Sequence, residues 1–221
     1  MTELLDRTGG RTRWRNWAGN QRAEATAVHP GSADEVAQVL TAAAAAGRRV
    51  RPIGSGHSFS GIGRPDDVQL VCDRLAGIRS LTDDGLVTVG AGTTLHRLGA
   101  ELLRRGWALT NLGDIDRQTV AGALATGTHG TGARFGGLAT QVRGVELVLP
   151  SGELLVCDAE RHPEVFAAAR LGLGALGVVT AVTLQAEPAF ALRAAEGPGT
   201  LTAALEGFEE LMTSTDHVEF Y

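Results

Sequence analysis

Lysine is absent from this chain of 221 residues, and all 20 basic side chains are arginine. No Schiff-base lysine and no Walker-type phosphate-binding lysine can therefore act here. Cysteine is almost as scarce. Cys72 and Cys157 sit in separate apolar runs, with neither Cys-x-x-Cys spacing nor histidines at metal spacing, so buried structural thiols are expected and a metal site is not. Positive charge is outweighed, 20 arginines against 25 acidic residues, and the net charge of −5 offers no general electrostatic reason to bind nucleic acid. No apolar run approaches a membrane span. The first residues, Met1 to Arg15, carry Glu3, Asp6 and several arginines and lack the apolar segment of a signal peptide, so a cytoplasmic location is expected.

What is plentiful is glycine. Its 30 residues exceed the usual share of about 7% and fall in clusters without a fixed period, which points to loops that contact something. The remainder is ordinary for a soluble domain, 43% hydrophobic and 20% charged. The stretch Arg51 to Ser60 stands out. Gly54 and Gly56 bracket Ser55 and lead into His57, Ser58 and Ser60. Glycines remove the bar to positive φ, so successive N–H groups can converge on an anion, and the serine hydroxyls can add donors. A polar surface turn has the same composition.

The surrounding pattern places that loop at the C-terminal end of a strand. Ser32 with Glu35 forms a capping box for a helix whose apolar face is Val36, Val39 and Leu40; Gly47 ends it, and Val50 to Ile53 is the next strand. Before it, Trp14, Asn16 and Trp17 form a small aromatic cluster read as packing or ligand contact, packing being favoured. Val68 to Val71 and Leu86 to Val89 read as short strands. Leu95, Leu98, Leu102 and Leu103 have helical spacing, with Gly106 as a C′ residue and His96 structural or exposed. Val142 to Leu149 and Glu153 to Cys157 form a hairpin over Pro150-Ser151-Gly152. His162 to Arg170 is a short helix, Val178 to Leu184 a strand, the residues after Pro188 one more strand-like run, Leu201 to Met212 a helix and His217 to Tyr221 the start of a strand.

A second glycine-rich element runs from Gly113 and Asp114 through Thr119 to Gly122, Thr126, Gly127, Thr128, His129, Gly130 and Gly132. A flat ligand could lie against this bare backbone while the threonines donate hydrogen bonds; small residues also permit tight helix packing. A third small-residue stretch, Leu171 to Gly177, leads into Val178 and Val179 and could offer backbone N–H and C=O groups to the edge of a heterocycle.

Taken together, Gly54-Ser55-Gly56-His57-Ser58-Phe59-Ser60, Gly113-Asp114-Ile115, Gln118-Thr119-Val120-Ala121-Gly122 and Thr126-Gly127-Thr128-His129-Gly130-Thr131-Gly132 resemble the aldonolactone and alditol oxidases of the vanillyl-alcohol-oxidase flavoprotein superfamily. Trp14-Arg15-Asn16-Trp17 and Gly174-Ala175-Leu176-Gly177-Val178-Val179 share the likeness. The resemblance implies an α+β fold: an FAD-binding domain over 1–187, with a small α/β subdomain at about 22–75 and a larger mixed-sheet subdomain at 76–187. It implies that FAD lies between the two, its pyrophosphate held by the glycine loops, with His57 bonded to the 8-methyl group of the flavin. The implied cofactor contacts are Gly54, Ser55, Gly56, His57, Ser58, Gly113, Asp114, Thr119, Gly122, Thr126, Gly127, Thr128, His129, Gly132, Val178 and Val179. Asp114 and Asp116 could meet the flavin or a ribose hydroxyl.

Members of that family continue into a cap domain that supplies substrate-binding side chains, and here 188–221 reads as its start only. The implied chemistry is oxidation of a CH–OH group in a sugar lactone or polyol, with oxygen or another acceptor taking the electrons. Alternatives are a flavin-binding module without turnover of its own, which would need a cap-domain partner chain, and a non-flavin α/β interaction domain. An exposed apolar flank and self-association are expected where a cap would dock.

Overall fold

The computed structural model describes residues 10–221. The polar start around Glu3 and Asp6 lies outside the described residues. β1 (Arg11–Arg15) and β2 (Arg22–Val28) form an antiparallel hairpin. α1 (Ala33–Ala45) then starts as its sequence requires. The Ser32 hydroxyl accepts the Glu35 N–H at 3.1 Å, and the Glu35 carboxylate accepts the Gly31 N–H at 2.7 Å, one residue earlier than a reciprocal capping box would place it. Gly47, at φ 65°, closes the helix. β3 (Val50–Ile53) and β4 (Val68–Val71) complete a four-stranded sheet of order β1-β2-β4-β3, with β4 parallel to both neighbours.

The second layer begins with β5 (Ile78–Leu81), β6 (Leu86–Gly90), α2 (Leu95–Leu103), the short β7 (Trp107–Ala108) and α3 (Val120–Ala125). It continues with β8 (Val142–Val148), β9 (Leu154–Asp158), α4 (Pro163–Ala169), β10 (Val178–Gln185) and β11 (Glu187–Pro188). Its five-stranded sheet, order β5-β6-β10-β8-β9, is antiparallel throughout, and β7 pairs with β11 beside it. β10 lies in the middle of the sheet, which is why it reads as an almost unbroken apolar and β-branched run. Its buried Thr180 donates to the Glu146 carboxylate at 2.6 Å, and Arg79 pairs with the same group at 3.0 Å, so the polar atoms in this wall are matched.

Two apolar clusters hold the layers. Leu95, Leu98 and Leu102 of α2 pack with Val120, Ala123 and Leu124 of α3 onto Val87, Val89, Val182 and Leu184. Val36, Val39, Ala42 and Ala43 of α1 pack onto Val28, Val68 and Leu70, joined by Val148 and Val178 from the second sheet. That shared packing ties the two sheets together.

The remaining chain departs from expectation. Among the described residues, 189–200 form no strand after Pro188. α5 (Leu201–Glu206) and α6 (Phe208–Ser214) replace the single helix expected over 201–212, the break falling at Gly207, which caps one and starts the other. Residues 217–221 are not a strand, since no neighbouring strand offers them a ladder; the segment docks through side chains instead. His217 stacks on Phe135 at 4.9 Å, Asp216 pairs with Arg134, and the Tyr221 hydroxyl reaches the Asp114 carboxylate at 3.5 Å.

Candidate functional site

A cleft opens between the two sheets. One wall is the end of β3 and the loop Gly54 to Ser58. The other combines the first turn of α3, Ala91, Val145, Val179 and Val182, and the segment Gly172 to Gly177.

The floor is a close backbone crossing. A methyl group placed on Gly54 would lie 2.8 Å from Thr119 Oγ1 and 3.5 Å from Gly122 Cα, and one on Gly122 would lie 2.8 Å from the same oxygen. Thr119 cannot yield, because its side chain caps α3 by accepting the Gly122 N–H at 3.2 Å. Only glycine fits at both crossings. Gly56, at φ 71°, turns the loop so that, among the described residues, the N–H groups of Ser55, Gly56, His57 and Ser58 meet no acceptor within the chain. Unmatched backbone donors converging in a loop make a site for an anion. No carboxylate lines the cleft among the described residues; its charged and titratable lining is Arg51, His57 and the Cys72 thiol.

The hydroxyls take a different part from the one expected. Ser55 donates to the Arg117 carbonyl at 2.7 Å, Thr126 to the Gly122 carbonyl at 3.1 Å, and Thr128 exchanges bonds with the Gln118 amide at 3.0 and 3.3 Å. The Ser55 bond braces the first loop against the second, and the Thr126 and Thr128 bonds lie within the second, so these three hydroxyls are engaged inside the chain.

Of the residues singled out from sequence, Gly54, Ser55, Gly56, His57, Ser58, Thr119, Gly122, Thr126 and Val179 line the cleft. The others are not among the residues that line it. Gly113 backs onto the His129 carbonyl, Gly127 (φ 70°) onto Leu171, and Gly132 (φ 101°) onto Phe135 and Asp216. Thr128 faces Gln118, and Val178 is buried against α1. His129 is exposed, its Nδ1 3.1 Å from the Gly130 carbonyl. Asp114 is exposed; Asp116 is tied to His96 at 2.7 Å and Arg117 at 3.2 Å, and the His96 hydrogen bond holds its carboxyl below the usual range. Arg51, Ile62, Gln118, Ala121 and Ala125 also line the cleft and were not singled out. Gln118 and Ala121 stand within a quoted motif, and Arg51 opens the stretch Arg51 to Ser60. Trp14 lines the cleft too, whereas Trp17 is 66% exposed and stacks on His57, so this cluster is not core packing.

Comparison with known proteins agrees with this geometry. Residues 25–158 match the family model described as FAD binding domain. L-gulono-1,4-lactone dehydrogenase of Mycobacterium tuberculosis is 41% identical over 94% of this chain and 48% of its own length. D-arabinono-1,4-lactone oxidase of Eremothecium gossypii is 37% identical over 93% of the chain and 40% of its own length. L-gulonolactone oxidase of Bos taurus is 37% identical over 86% and 44%. The chain thus spans about half the length of the curated relatives it matches. Among solved structures, cholesterol oxidase of B. sterolicum shares the fold, with a TM-score of 0.73 at 21% identity over 82% of this chain and 38% of that one. A floor that only glycine fits and a rim of free N–H groups suit a pyrophosphate-bearing dinucleotide, and the apolar walls suit its ring systems. The chain belongs to the FAD binding domain family.

Proposed function

We propose that this chain is the cofactor-holding part of an FAD-dependent oxidoreductase that oxidises a CH–OH group of a sugar lactone or polyol. The observation that carries the reading is the cleft between the sheets, its Gly54–Gly122 floor and its rim of free N–H groups at Ser55 to Ser58. The lactone oxidases and dehydrogenases it matches along 86–94% of its length support the substrate class. Bound FAD would supply a two-electron acceptor for the hydride leaving the carbinol carbon. The chain's own residues would hold it: the N–H groups at 55–58 on the pyrophosphate, the Gly172 to Gly177 backbone and Val179 along the rings, and His57 as the point of covalent attachment.

A second reading has its own support. With no carboxylate in the cleft lining, the described residues offer no strong base for the substrate hydroxyl beyond His57. A flavin-holding module that depends on further residues for turnover fits that composition. The test is to purify the chain, denature it in acid, and follow flavin by absorbance and intact mass, with His57→Ala alongside. Acid-stable flavin in the parent and only releasable flavin in His57→Ala are expected. Oxidation of a sugar lactone by the loaded chain with an artificial acceptor would separate the two readings; a colourless protein after FAD is supplied would overturn both.

A further inference from the structure

We infer that the turn joining β1 to β2 is a positioning element for the His57 imidazole, acting through Trp17. This rests on the reading of the cleft as the flavin site and assigns a role to residues outside the cleft. Among the described residues, the His57 ring makes no hydrogen bond and no ion pair; the aromatic contact it has is the Trp17 indole, stacked at 5.8 Å between centroids and 18° between planes. An imidazole without a hydrogen-bonding partner turns freely about its two side-chain torsions unless a packed face stops it. Trp17 supplies that face.

The residue that carries the indole is itself anchored. The Trp17 backbone N–H donates to the Gly56 carbonyl at 2.8 Å, and Phe59 meets the indole edge-on at 6.1 Å. Asn16, 2% exposed, donates from its amide to the Ser58 carbonyl at 2.9 Å, and Asn20 donates to the Phe59 carbonyl at 3.0 Å. The Asn16 oxygen accepts the Gln21 N–H at 3.0 Å, which closes the turn on itself. Three backbone carbonyls around His57, at residues 56, 58 and 59, are therefore held by residues 16, 17 and 20. An indole that is 66% exposed gains little from burial, so its place is explained by what it covers.

Attachment exchanges one C–H bond of the flavin's 8-methyl group and the imidazole N–H for a C–N bond. The two hydrogens, with two electrons, pass to the isoalloxazine ring and then to oxygen or the other acceptor that serves turnover. The step is sensitive to the direction of one nitrogen lone pair, and a group misplaced by about 1 Å can cost on the order of 100-fold in rate. Trp17→Ala is expected to bind as much total flavin as the parent, while the acid-stable share grows at least about tenfold more slowly. Trp17→Phe, which keeps a stacking face, restores most of that rate, and His57→Ala sets the zero. Attachment in Trp17→Ala at the parent's rate overturns the inference and leaves the flavin reading standing. Flavin released by acid from the parent overturns the attachment and this inference with it.

A second arm needs no flavin. The His57 Cε1 proton, identified by its loss in His57→Ala, is expected upfield of the free-histidine position through the indole ring current, and Trp17→Ala returns it. A resonance that does not move shows that the rings do not stack in solution and overturns the inference. Melting temperatures of the variants close to the parent's confirm that the exposed indole is not a core residue.

Discussion

Cys72 follows β4, beside Asp73, with its thiol buried between the α1 cluster and the cleft. Burial first, and the Asp73 charge second, push its pKa from 9.0 up to about 12. Cys157, buried on β9, is raised for the same reason. The folded thiols stay protonated where the unfolded chain already loses its protons, so this part of the stability is full below pH 9 and is lost as pH rises towards about 12. For Cys72 the slope is about 1.4 kcal/mol per pH unit in that window. Cys72→Ala is expected to remove that contribution, seen as a flatter fall in urea midpoint between pH 9 and pH 11. An unchanged slope would mean that water reaches the thiol in the folded protein. That both cysteines are buried and inert was readable from their apolar flanks. That His57 leans on Trp17 was not, because the two lie on separate strand ends and no spacing rule connects them.

At the scale of elements, the capped helices and the short strands were largely legible. Ser32 with Glu35 and the Leu95-Leu98-Leu102 stripe are relations within one or two turns, and β-branched runs such as Val178 to Leu184 match strand propensity directly. The strands β1, β2 and β5 were missed; β1 (Arg-Thr-Arg-Trp-Arg) is mostly solvent-facing and becomes a strand through pairing with β2. Residues 120–125 read as a ligand loop with helix packing as the alternative, and they are a short helix capped by Thr119. Both readings hold at once, because the helix's first turn is the cleft floor. The crossing of the β3 loop with α3 makes a prediction at this scale. In Gly54→Ala the new methyl group meets a Thr119 hydroxyl held by its cap bond, so the loop must retreat from the helix. Flavin affinity is expected to fall at least about tenfold, about 1.4 kcal/mol, by fluorescence quenching, with the circular dichroism spectrum kept. Unaltered affinity would place the cofactor away from this floor.

For the molecule as a whole, the described C-terminal region leaves apolar side chains without cover. Leu192, Leu201 and Leu205 are each more than 60% exposed, Phe190 and Phe220 about half, and neither α5 nor α6 buries a residue. Apolar side chains left exposed in this number favour association with another apolar surface. The isolated chain is expected to self-associate as concentration rises, visible as a mass increase by light scattering, and Leu201→Ser with Leu205→Ser should return it towards monomer. A monomer at high concentration would show that the flank is covered by its own chain in solution.

The amino-acid sequence by itself determined the local elements, the two glycine loops, the FAD binding family and the loop histidine as the residue to watch. Each of these depends on neighbours a few positions apart or on motifs read in line. Tertiary structure alone decided that β4 inserts between β2 and β3, that the Gly54 loop meets α3, and which residues of the two glycine loops line the cleft. It also engaged the Ser55, Thr126 and Thr128 hydroxyls with Arg117, Gly122 and Gln118. The physical reason is sequence separation. These contacts join residues tens of positions apart, and they form only once α1, Val148 and Val178 have packed the two sheets into one core.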